Sequence, residues 1–88
     1  MDLKGAIEDP ARADARMLDR AEGVLIAFRR CTIDEAFEDI VRASKRHRVP
    51  TLSIAAALVA LAQNSPFEDD AIAAARYEWA TLLEQVRP

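Results

Sequence analysis

Cysteine, histidine and glycine are all scarce in this chain, whose 88 residues hold one Cys, one His and two Gly. A lone Cys31 closes no internal disulfide, and no charged leader precedes an apolar stretch and cleavage site, so the sequence predicts a cytoplasmic protein. Zinc-type coordination needs clustered ligands, and His47 and Cys31 stand far apart with no second ligand at pairing distance. Gly5 and Gly23 are too few for a phosphate-cradling loop. The longest apolar run, Ile54 to Ala62, falls well short of the roughly 20 residues a membrane span needs. These absences predict no metal, no cofactor, no catalytic residue, no membrane segment and no enzyme. The length predicts one domain spanning residues 1–88, since a core seldom divides below roughly 250 residues.

What is present is apolar and charged residue in helical order. The chain is 51% hydrophobic and 31% charged with a net charge of −3, which excludes a disordered tail. Acidic residues stop at Asp39 and return at Glu68, and Arg42, Lys45, Arg46, His47 and Arg48 all fall in that window. A basic patch therefore sits inside an acidic protein.

Four helices follow from caps and periodicity. Asp9 before Pro10 reads as an N-terminus, because proline has no amide to waste at the first helical position. Ala15, Leu18, Ala21, Leu25 and Phe28 then recur at three and four. Read as heptads, the seam is Ile7, Ala11, Asp14, Leu18, Ala21, Leu25 and Phe28, with Asp14 imperfect. Thr32 and Glu35 form a capping box that starts the second helix at Ile33. Its apolar face holds Ile33, Ala36, Phe37, Ile40, Val41 and Ser44, with Glu38 and Arg42 spaced as an ion pair on the other side. Pro50 ends it near Arg48. Thr51 or Ser53 then caps a third helix to about Gln63, apolar on every side and so buried on more than one. Ser65-Pro66-Phe67-Glu68 repeats the capping box and starts a fourth helix at about 66, running to about 86 with Ile72, Ala75, Trp79, Leu82 and Val86 on one stripe. No segment alternates with period two. The fold class is all-α.

The second and third helices resemble a helix-turn-helix in outline, but the third offers only Ser53 as a polar side chain between Leu52 and Ala62. It cannot read base edges in a major groove. His47, set between Arg46 and Arg48, suits a phosphate contact better than a catalytic base.

Leu18, the run Ala21-Glu22-Gly23-Val24-Leu25-Ile26, Asp34-Glu35-Ala36-Phe37, Ile40-Val41-Arg42 with Ser44, and Ile54-Ala55 with Leu58-Val59 together resemble the ANTAR family of RNA-binding transcription antitermination domains. That family carries an Ala-Lys-Gly-hydrophobic-Leu-Met signature, then an acidic pair with Ala-Phe, a basic segment and a short Val-Ala helix. The resemblance covers roughly Leu18 to Val59. It implies a three-helix ANTAR-like unit over about 10–63 with an additional C-terminal helix, binding paired stem-loops in nascent transcripts to prevent termination. It raises Arg42, Lys45, Arg46 and Arg48 to phosphate contacts, with Ser44 and His47 available for loop bases. This chain departs from the pattern at Glu22, where Lys is usual and which reverses a charge near the proposed RNA face, and at Val41, where Arg is common.

Gly23 inside a helix costs about 1 kcal/mol relative to Ala, which predicts a close helix contact there. Leu18, Gly23, Leu25, Phe28 and Trp79 are assigned to helix packing or a dimer interface, because this much apolar surface exceeds one small core. Trp79 and Tyr77 could stack on bases, but on an acidic helix both are assigned a core or interface role. The expectation is a homodimer that binds RNA stem-loops, signalled by a separate sensor or regulator protein, since 88 residues leave no room for a receiver domain. The alternative is a protein-protein interaction or dimerisation module without RNA binding.

Overall fold

The computed structural model describes residues 10–86. It contains four helices, α1 (Pro10–Arg29), α2 (Ile33–His47), α3 (Thr51–Ala62) and α4 (Asp70–Val86), with no strand among the described residues. The heptad position Ile7 and the cap Asp9 lie outside them. α2 starts where the capping box places it: Thr32 Oγ1 accepts from the Glu35 amide at 3.1 Å, and Glu35 Oε1 accepts from the Thr32 amide at 2.8 Å. That reciprocal bond holds the Glu35 carboxyl below the usual carboxylate range.

α3 is the centre of the bundle. It packs against α1, α2 and α4, which explains why Leu52 to Ala62 carries almost no polar side chain. Ile54, Ala55, Ala57, Leu58 and Leu61 meet Ala21 and Leu25 of α1, Ile40 and Ala43 of α2, and Ile72, Ala75, Trp79 and Leu83 of α4 in one core. Alanine at so many of these positions lets the helix axes approach closely. Trp79 is fully buried, and its Nε1 donates to Asp39 Oδ2 at 3.1 Å. The same oxygen stands 3.4 Å from Arg29, so one α2 carboxylate ties α4 to α1.

Several expectations are corrected. Leu25 and Trp79 serve helix packing, and they are not surplus apolar surface, because a single bundle encloses both; Leu18 and Phe28 pack half-buried on its edge. Gly23 is no close contact within the chain: it is exposed, and a Cβ there would meet nothing within 4 Å. Glu22 is buried rather than on a contact surface, so its reversed charge acts on the core. Burial raises its pKa, and the neighbouring Asp19 and Asp34 carboxylates raise it further. The α2 apolar face splits, with Ala36, Ile40 and Ser44 buried while Ile33 and Phe37 are exposed.

Two helix starts differ as well. Pro50 is the N-cap of α3 and its ring has no atom to form a side-chain capping bond, while the expected cap Thr51 lies inside the helix and donates its hydroxyl to Ser44. α4 begins at Asp70, not at Pro66. Asp69 is the cap, its Oδ1 accepting from the Ile72 amide at 2.7 Å, while Ser65 Oγ accepts from the Phe67 amide to make a local turn.

Candidate nucleic-acid interface

The basic segment occupies the last turns of α2 and the residue after it. Lys45, Arg46 and His47 lie in the final turn, where cations oppose the partial negative charge of unpaired carbonyls. The turn to α3 is then locked. Arg48 adopts a left-handed conformation with φ 56° and ψ 42°, and its amide donates to the Ser44 carbonyl. Ser44 Oγ donates to the Val49 carbonyl at 2.6 Å and accepts from Thr51 Oγ1 at 3.2 Å. Ser44 is buried, so the expectation that it meets loop bases is corrected: its hydroxyl fastens the turn.

The cations divide into two groups. Arg42, Lys45 and Arg48 are exposed, and none makes an ion pair with a described residue; the expected Glu38–Arg42 pair is not formed. Arg46 and His47 instead meet Glu78 of α4. Arg46 Nη1 donates to both Glu78 oxygens at 2.8 and 2.7 Å, and His47 Nε2 lies 2.7 Å from Oε2. The Glu78 side chain is only 9% exposed. Burial works to raise its pKa, but the hydrogen bonds from His47 and Arg46, with their charges, outweigh it and hold the carboxyl below its ordinary range. His47 is therefore oriented by α4 rather than left free.

Surface form follows from this arrangement. One side of α2 carries a shallow groove of about 280 Å³ lined by Phe37, Glu38, Val41, Arg42 and Lys45. On the other side an open groove of about 720 Å³ runs between the α2–α3 turn and the start of α4, with His47, Arg48, Asp70 and Tyr77 among its walls. Tyr77 is 77% exposed and stands nearly perpendicular to His47, at 69° and 5.4 Å between ring centres. A core role for Tyr77 is thus corrected, since residues two apart on a helix face opposite ways.

Sequence reasoning missed Glu78, and it set Tyr77 aside as a core or interface residue. The helical phase of Tyr77, off the Ile72, Ala75, Trp79 stripe, was a usable signal for its exposure. Nothing local announces that Glu78 meets Arg46. Among the described residues there is no metal-binding cluster and no helix long and apolar enough to cross a membrane.

The sequence model of the ANTAR domain matches residues 10–59, more than half of the chain. The match spans α1, α2 and most of α3 and leaves α4 outside. That family is a regulatory, RNA-binding antitermination output domain. No curated protein and no solved structure matches the chain.

Proposed function

The chain belongs to the ANTAR domain family, and from that premise we propose that it is a transcription antitermination regulator recognising stem-loops in nascent transcripts, acting in the cytoplasm. The observation that carries this reading is the set of exposed cations at the end of α2, Arg42, Lys45 and Arg48, which make no ion pair with any described residue. Arg46, half exposed and shared with Glu78, adds a weaker contact, and His47 borders the groove beside Arg48. The physical basis is that loop bases can be splayed out and held while phosphates meet cations, whereas α3 offers nothing to a major groove.

A homodimer is part of the proposal, as paired stem-loops suit paired subunits. Its seam is placed on the first half of α1, where Ala11 and Ala15 are exposed and Leu18 is half-buried, near the open site at Gly23. A separate sensor or regulator protein supplies the signal.

Titration against tandem stem-loops, a single stem-loop and duplex DNA at two salt concentrations tests this reading. Tandem loops are expected to bind best, with each of Arg42→Ala, Lys45→Ala and Arg48→Ala lowering the logarithmic salt slope by about 0.7 for single-stranded contacts. Equal binding of all probes would overturn it. One observation favours the protein-interaction alternative: Ile33 and Phe37 expose apolar surface at 57% and 43% on one side of α2. That reading predicts no salt-dependent RNA binding.

A further inference from the structure

α4 lies outside the segment that matches the family, yet it supplies one wall of the groove of about 720 Å³ beside the α2–α3 turn. Resting on the RNA reading above, we propose that Tyr77 is a stacking platform for one unpaired base of the bound RNA, with Arg48 holding the adjoining phosphate.

Three observations converge. The Tyr77 ring is largely in solvent, and its near-perpendicular packing on His47 leaves ring surface open to a ligand. The ring it packs against is fixed, because His47 is pinned at 2.7 Å by a nearly buried Glu78 carboxylate that Arg46 also grips. Finally, the groove is polarised. Arg48, an exposed cation, lines it from the α2–α3 turn, and Asp69 and Asp70 line it from the start of α4. Asp69 is occupied in capping α4, and the acidic wall repels phosphate, so the sugar-phosphate chain is directed to the Arg48 side and the base toward the ring. Aromatic stacking tolerates any base because every base presents a π face. The hydroxyl of Tyr77 is not needed for it.

The test uses the full chain and two probes: a labelled pool of RNA hairpins sharing one stem with a randomised loop, and the same stem as a blunt duplex. Tyr77→Ala is expected to weaken binding of the looped pool roughly tenfold or more, while Tyr77→Phe and Tyr77→Trp retain it. Binding of the blunt duplex and the melting temperature are expected to stay unchanged for all three variants, since the ring is exposed. Parent protein that prefers loops, combined with unchanged loop binding by Tyr77→Ala, would overturn the platform and leave the RNA reading standing. Loss in Tyr77→Phe equal to that in Tyr77→Ala would replace stacking by a hydroxyl contact. Parent protein that does not discriminate loop from duplex would overturn both.

Discussion

Glu78 grips Arg46 across the bundle with both carboxylate oxygens, at 2.8 and 2.7 Å, although α4 and α2 are otherwise in limited contact. The pair spends part of the positive charge that the basic segment concentrates, and in exchange it fixes where α4 sits against that segment.

Glu78→Gln is therefore expected to move stability and phosphate affinity in opposite directions. Stability at pH 7 should fall by about 1 kcal/mol, below the usual range for charge-assisted bonds because Arg46 is half exposed. Blunt-duplex RNA affinity should rise as Arg46 is released. The Glu78 pKa is lowered on folding, so its contribution is present above the unfolded value of 4.5 and is lost as pH falls through the lower folded value. Melting curves of parent and variant across pH should converge on the acid side of that value.

Glu22→Gln is expected to raise the melting temperature at pH 7. Here the folded pKa is raised from 4.5 by burial and by Asp19 and Asp34, so the ionised carboxylate opposes folding once pH exceeds the folded value. The gain should disappear below about pH 4.5, where both states carry a proton. Thermal denaturation at the two pH values checks the sign.

Gly23→Ala should stabilise the monomeric fold by about 1 kcal/mol, or roughly 4–8 °C in Tm. A Cβ at this exposed helical position meets nothing, so only the backbone entropy of glycine changes. A loss of stability or of self-association, read by calorimetry and sedimentation, would place a second copy against this site.

Arg48→Gly separates folding from binding. The residue sits at φ 56°, a conformation that costs a side-chain-bearing residue about 1 kcal/mol and glycine almost nothing. The variant should melt higher than the parent while binding RNA stem-loops more weakly, with a shallower salt slope. A drop in both would show that the Arg48 side chain supports the turn.

Legibility in the sequence followed the range of each interaction. The Thr32–Glu35 capping box is complete within four consecutive residues, and the unbroken apolar character of Ile54 to Ala62 reveals a central helix. The start of α4 was ambiguous because Ser65 and Asp69 are both competent caps. Burial chose between them, since capping at Asp69 begins the helix where Ile72 enters the core and leaves Phe67 outside. Ser44 looked available because its consumer, the Val49 carbonyl, is a backbone group exposed only by the turn itself. The Glu78 contacts join residues more than thirty positions apart, and no local pattern encodes them.

Trp79 and Tyr77, the only residues of their kinds in the chain, are close neighbours on α4 with opposite surroundings. One is sealed in the core against Asp39 and the other stands in solvent. The sequence thereby carries its own pair of optical reporters. Trp79 emission belongs to the interior and shifts when water enters it, whereas Tyr77 reports from the surface. Occupancy of the groove and integrity of the core are thus separable signals in one unlabelled sample.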